Sequence, residues 1–213
     1  MKHLIKDTLI LFVITLVAGG LLGFVNELTK EPIAEYEAEK KEIACSEVFY
    51  EEDENGNLVA VKDLIFEPLT DAGIAELNAA LIKKDLGNIV IEEVYHAYVA
   101  PEYLYGYVFG ITTKEGYNGE ISFYVGITSE GRLKGVSLLD IAETPGLGMN
   151  AEDVLLPQFR DVEAGTFKVV KTGAQGLDEI DAISGATITS EAITGGVNAA
   201  YECFVILQGG EAS

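Results

Sequence analysis

The chain has 213 residues, 48% of them apolar and 9% aromatic, enough for a packed core and too many for a disordered polymer. Its formal net charge is −21; Lys2, Lys6 and Asp7 give the first 26 residues +1, leaving −22 for the rest, a surface that repels nucleic-acid phosphates and argues against DNA or RNA as a partner. Cys45 and Cys203 lie far apart, no CxxC is present, and His3 and His96 are the only histidines, which argues against a zinc or iron–sulfur centre built from this chain alone.

Residues 8–25, TLILFVITLVAGGLLGFV, form an uncharged run of 18. At ~1.5 Å per residue a helix of that length spans about 27 Å, close to the hydrocarbon thickness of a bilayer. A buried core helix so uniformly apolar is unusual at a chain start. A cleaved signal has an apolar stretch of about 7–15 residues before its small-residue site, whereas here apolar residues continue past Ala18-Gly19-Gly20 to Val25. The run therefore reads as a membrane anchor. Lys2 and Lys6 before it favour a cytoplasmic N-terminus and an exported remainder.

Residues 31–49 read as a charged helix, a stalk with Ile33, Tyr36, Ile43 and Ala44 on one side, and 51–57 as a polar turn. A second helix is predicted from Asp71, with Leu77, Leu81 and Ile82 sharing a face and Gly87 ending it. Then the period changes to that of strands, over 89–98, 103–112, 121–127 and 133–139, with glycine turns at 115–119 and 129–131. Connections this short leave no room for crossover helices, so the strands are expected to be antiparallel neighbours. A last helix is expected over about 191–207, with Ile193, Val197, Ala200, Tyr201 and Phe204 on one face. The fold class is α+β, an antiparallel sheet flanked by helices after an N-terminal transmembrane helix. The expected divisions are an anchor at 1–26, a helical stalk and lead-in at 27–88, and the main domain at 89–213.

Immediately before the last helix stands Asp181-Ala182-Ile183-Ser184-Gly185-Ala186-Thr187-Ile188-Thr189-Ser190. Ser190 suits the N-cap, the free amides of a first helical turn favour a phosphate, and Gly185 and Ala186 let an anion approach the backbone. Thr187 offers a hydroxyl that can be esterified. Taken alone, the same residues also fit an ordinary capped helix start. Some forty residues earlier lies Glu143-Thr144-Pro145-Gly146-Leu147-Gly148, by itself a Pro-Gly turn, and 114–119 holds a glycine hairpin turn with Tyr117 in it.

The run Asp-x-x-Ser-Gly-Ala-Thr resembles the flavinylation signature of FMN-binding domains, found in the G component of Rnf complexes and in the C component of the sodium-pumping NADH:quinone reductase. The resemblance implies that a flavin transferase, with FAD as donor, leaves FMN phosphodiester-linked to Thr187, with Asp181, Ser184, Gly185 and Ala186 as the rest of the signature. Thr189 lies outside the motif, a decoy beside the site. Glu143-Thr144-Pro145-Gly146-Leu147-Gly148 is similar to the family's flavin-contacting loop: Gly146 and Gly148 permit a tight loop, Leu147 packs on the ring, and Glu143 and Thr144 give polar contacts. The family often has a histidine where this chain has Ile141. The turn around Tyr117 looks like the family's Gly-Tyr-x-Gly hairpin.

What the resemblance implies is a flavoprotein component of a membrane complex that oxidises reduced ferredoxin, reduces NAD and moves sodium ions or protons. It would work with the other subunits and be no enzyme alone; without a GxGxxG after a strand it is expected not to bind NAD. The shortness of the chain favours Rnf over the quinone reductase. A non-redox scaffold tethered to the membrane is the alternative from another class. A hydrolase using Ser184 or Thr187 is disfavoured, because no GxSxG elbow is present and His96 falls within a predicted strand among aromatics. The two cysteines fit buried or free thiols better than a disulfide, and one sequence leaves their pairing open.

Overall fold

The structure is a computed structural model that describes residues 2–52, 58–86 and 88–209. It divides into two compact units, Met1–Glu42 and Ile43–Ser213. The first unit is helical throughout its described residues and belongs to α1, Lys2–Glu47, which carries Pro32 inside it. The anchor and the stalk expected as two helices thus belong to one helix. Its stretch Lys6–Ile33 is long and apolar enough to cross a membrane, and its large side chains from Leu9 to Leu28 are exposed. Of the stalk residues expected on one side, Ile33, Tyr36 and Ile43 are exposed and Ala44 is buried.

In the second unit, β1 (Tyr50–Glu52) pairs with β2 (Leu58–Ala60). Then follow β3 (Ile65–Pro68), α2 (Asp71–Lys83), β4 (Ile89–Ala100), β5 (Tyr103–Thr113), β6 (Ile121–Thr128) and β7 (Arg132–Ile141). After a 3₁₀ turn at Gly148–Asn150 come α3 (Ala151–Val154), β8 (Val162–Glu163), β9 (Lys168–Val170), β10 (Glu179–Asp181) and α4 (Thr187–Leu207). Strands β3 to β8 form one six-stranded sheet in sequence order, antiparallel at every pairing. The four strands expected from periodicity are its centre. Strands β3 and β8 at its edges are short and carry too little pattern to be read. Of the polar turn expected at 51–57, residues 53–57 lie outside the described residues, as does the expected stop at Gly87.

Alternation along the strands builds two cores. On one face Tyr107, Phe109 and Ile111 of β5 and Phe123, Val125 and Ile127 of β6 are buried with Leu77 and Leu81 of α2 and Ile193, Val197, Ala200 and Phe204 of α4. On the other, Val108 and Tyr124 are buried with Ala44, Cys45, Val48 and Phe49. There Tyr95 donates to Glu93 Oε2 at 2.8 Å and Tyr124 donates to Glu93 Oε1, so a carboxylate within an apolar layer has its acceptors used. Ile82 does not share the buried face of α2. It is 67% exposed, because it follows Leu81 by one residue and so points about 100° away around the helix.

Helix α4 lies against the sheet at Gly196, where an added Cβ would sit 2.4 Å from Phe123 Cζ. A glycine inside a helix costs about 1 kcal/mol in propensity. Here it lets the helix settle onto an aromatic ring, and the depth of that seat sets where the N-terminus of α4 emerges.

Candidate functional site

The last helix begins at Thr187, earlier than its apolar periodicity suggests, with Ala186 in the cap position (φ −133°, ψ 48°) and no side chain capping it. Ser190 is therefore inside the first turn and is not the N-cap. Its hydroxyl is buried and works backwards: Oγ accepts from Ile183 N at 2.9 Å and donates to Ala186 O at 3.0 Å. Ala186 N also donates to Ile183 O at 2.9 Å, closing the 183–186 loop as a turn. Gly185 takes φ +77° within it, a backbone conformation that costs a side chain about 1–2 kcal/mol. The first helical backbone donor is Ser190 N, to Ala186 O at 3.1 Å. The amides of Thr187, Ile188 and Thr189 precede it and have no intrahelical acceptor. Their residues help to line a cleft of about 490 Å³, together with Tyr117, Glu143, Thr144, Leu147, Gly148, Gly185 and Ala186.

Three segments meet there. The hairpin turn joining β5 to β6 contributes Tyr117, 66% exposed. Glu143, just past β7, is buried, and its Oε1 accepts from Asn118 N at 3.3 Å, while Asn118 Nδ2 lies 3.4 Å from Thr144 Oγ1. So the acid that was expected to touch a ligand also ties the hairpin to the 143–148 loop. That loop closes on Thr144 O, which accepts from Leu147 N at 3.1 Å, and Gly146 has φ +76°. Gly148 is where it meets α4: an added Cβ would be 2.8 Å from both Glu143 Cβ and Thr189 Oγ1. Leu147 stands at the mouth, its Cδ2 3.1 Å from a Cβ added to Gly185.

The structure thus brings Tyr117, Glu143, Thr144, Leu147, Gly148, Gly185, Ala186 and Thr187 to one cleft, from three places in the sequence. Asp181 and Ser184 are not among its lining residues. Asp181 ends β10, its Oδ1 accepting from Ala174 N at 2.9 Å, while the Gln158 side chain bonds its N–H at 2.8 Å and its carbonyl at 3.0 Å. It steadies the strand that feeds the loop. Ser184 is exposed on that loop. Ile188 and Thr189 line the cleft without having been singled out as site residues. Starting the helix at Thr187 would have placed both in its first turn, and the late start expected from Ser190 concealed them. Thr187 is half-buried, whereas Thr189 is 1% exposed and its Oγ1 has no hydrogen-bond partner among the described residues.

Of the remaining candidates, His96 is half-buried on β4 and packs among aromatics, its ring 5.2 Å from that of Tyr107 and 6.3 Å from that of Tyr98; it is not among the cleft's lining residues. Cys45 and Cys203 are free thiols, buried in the two opposite cores. Among the described residues no group of His, Cys, Asp and Glu side chains is arranged to hold a metal.

The FMN-binding domain family matches residues 116–202, a span that runs from the hairpin through both loops to α4, and the RnfG N-terminal region matches residues 1–48. The G component of the Na(+)-translocating ferredoxin:NAD(+) oxidoreductase complex of Acetobacterium woodii is 33% identical over 209 residues, covering 95% of this chain and 92% of that one. The chain belongs to the RnfG family of ion-translocating oxidoreductase complexes.

Another member, the G component of the proton-translocating ferredoxin:NAD(+) oxidoreductase complex of Clostridium ljungdahlii, is 41% identical over 98 residues, 46% of this chain and 52% of that one. A crystal structure of Shewanella oneidensis NqrC matches with a TM-score of 0.48 at 22% identity, over 55% of this chain and 61% of that one. Residues 116–202 of this RnfG family member are an FMN-binding domain, and the cleft has features that suit FMN. Its volume is in the usual range for a small-molecule site, roughly 300–1,000 Å³. Unsatisfied amides at a helix N-terminus suit a phosphate, Gly185 keeps the backbone bare, and Thr189 leaves a buried hydroxyl to be satisfied.

Proposed function

We propose that this chain carries FMN esterified through its phosphate to Thr187 and serves as an electron-transfer subunit of an Rnf-type ferredoxin:NAD+ oxidoreductase ion pump. The observation that carries the site is the contrast within one helical turn: Thr187 is half-buried at the cleft and Thr189 is buried in its wall. The greater exposure supports Thr187 as the hydroxyl that a transferase modifies. In the attachment, the bond formed joins Thr187 Oγ1 to the flavin-side phosphorus of FAD. The pyrophosphate P–O bond breaks, AMP leaves with its oxygen, and the hydroxyl proton is released.

The residues around the cleft then have separable tasks. The amides of Thr187, Ile188 and Thr189 and the positive end of α4 would hold the phosphate's negative charge. Leu147 and Tyr117 would border the ring, Gly185 would give it room, and Glu143 and Thr144 fix the loop that carries Leu147. Bound flavin supplies two-electron chemistry that can be released one electron at a time, and the protein positions it. A covalent link prevents its loss on the outer face of the membrane. We place the N-terminus in the cytoplasm and the flavin domain outside, with 1–26 as anchor, 27–88 as lead-in and 89–213 as the flavin domain, working among the other subunits of the complex.

In-gel fluorescence of the denatured protein coexpressed with a flavin transferase tests the site. Thr187→Ala is expected to lose the fluorescent band and Thr189→Ala to keep it. A fluorescent Thr187→Ala protein overturns the assignment.

A further inference from the structure

We infer that Thr189 is a positioning residue for the flavin, donating a hydrogen bond from its buried hydroxyl to a polar atom of the isoalloxazine ring; this rests on the FMN reading above. Three observations meet at this side chain. It lines the cleft. It is 1% exposed, and its Oγ1 has no hydrogen-bond partner among the described residues. And Oγ1 faces the backbone at Gly148, 2.8 Å from where a Cβ there would be, beside the side-chain carbons of Glu143.

An unpartnered hydroxyl in a sealed position is costly, since the group has lost water and gained nothing. A threonine inside a first helical turn commonly turns its hydroxyl back to a carbonyl one turn earlier. Ser190, its neighbour, does so with Ala186 O. Thr189 makes no such bond. A valine has the same shape without the penalty. Thr194, further along α4, is also buried and unpartnered among the described residues but does not line the cleft, whereas Thr189 stands in the cleft wall, where an acceptor can arrive with a ligand.

The ring is the better acceptor than the phosphate. The phosphate would have the open amides of the first turn as donors, whereas Thr189 Oγ1 faces the 143–148 loop, which carries Leu147 at the mouth of the cleft. A donor to a ring heteroatom favours the reduced flavin, which carries more electron density there, so Thr189 would raise the flavin's potential. Thr189→Val keeps the shape and removes the donor; Thr189→Ser keeps the donor.

The test compares wild type, Thr189→Val and Thr189→Ser, each coexpressed with the transferase, by intact mass, visible spectrum and redox titration. Thr189→Val is expected to carry FMN on Thr187, with shifted flavin absorption bands and a reduced-to-oxidised ratio about fivefold lower at a fixed poise, the equivalent of one neutral hydrogen bond. Thr189→Ser is expected to match wild type in bands and ratio. Without flavin, Thr189→Val is expected to melt no lower than wild type, because it removes an orphan donor rather than a bond. If flavin-loaded Thr189→Val has unchanged bands and potential, the inference fails and the FMN reading stands; the same holds if Ser and Val shift the bands alike. If wild type itself carries no FMN, the reading beneath it fails first.

Discussion

Thr187 and Thr189 are two residues apart in one helical turn, yet the first is half-buried and the second is buried. The sequence offers both. The signature points to Thr187 and leaves Thr189 aside, but nothing in the spelling of the segment shows that the second hydroxyl is buried beside Gly148 in the cleft wall. That is a contact between loop and helix about forty residues apart, which no local pattern encodes. Gly148 itself is a measurable consequence. A Cβ there would press on Glu143 Cβ and Thr189 Oγ1 at 2.8 Å, so Gly148→Ala is expected to cost about 1–3 kcal/mol of stability, as overpacking does. Urea denaturation reads it, with lowered flavin loading expected alongside; an unchanged midpoint would contradict the close approach. Ser190 gives a second case. Its Oγ accepts from the buried Ile183 amide, so Ser190→Ala leaves that donor orphaned and is expected to lower stability by about 1–3 kcal/mol. A loss within error of zero would mean the loop is held otherwise.

At the scale of elements, the strong periodic segments are legible in the sequence and the short ones are not. Strands β4 to β7 announce themselves by β-branched and aromatic residues, and their antiparallel order follows from turns too short for anything else. Helix α4 is legible in its apolar face but not in its start. Ser190 is a good N-cap by type, yet Gly185 at φ +77° lets the chain turn earlier and the serine folds back on the loop. The parallel pair β9 and β10 also escapes a periodicity reading, being three residues each. It is tied by polar contacts instead of apolar pattern. Glu179 accepts from Gln175 N and Gly176 N and lies 3.1 Å from Lys168 Nζ, with Asp178 on the same lysine at 3.5 Å. Chiefly through the two amides, with Lys168 next, its carboxyl is held down to about 2, against an ordinary 4.5. A carboxyl lowered on folding contributes stability that is fully present above about pH 4.5 and is lost as pH falls toward 2. Acid unfolding of Glu179→Gln is therefore expected to show a shallower limb between those values than wild type. Identical limbs would show that the bonds around Glu179 do not persist in solution.

For the whole molecule, the sheet is a partition. The cleft and α4 belong to one side of it, and the layer of Cys45, Val48 and Phe49 to the other. The two cysteines whose pairing the sequence leaves open are in separate cores, so they are far from bonding partners for each other. Burial raises both thiols to about 12, which keeps them protonated and unreactive. Native protein at pH 8 is expected to take up an alkylating reagent at neither cysteine on the timescale on which denatured protein takes it up at both; rapid native labelling would contradict the two-core arrangement. The helix Lys6–Ile33 and the acidic remainder are readable from composition, because length and charge need no tertiary information.

The most direct measurement is mass spectrometry of the chain purified from its own membrane, intact and then as peptides. FMN added in phosphodiester linkage, one per chain and located on the peptide at Thr187, is the predicted result. A chain of unmodified mass, or flavin attached at a different residue, would contradict the account.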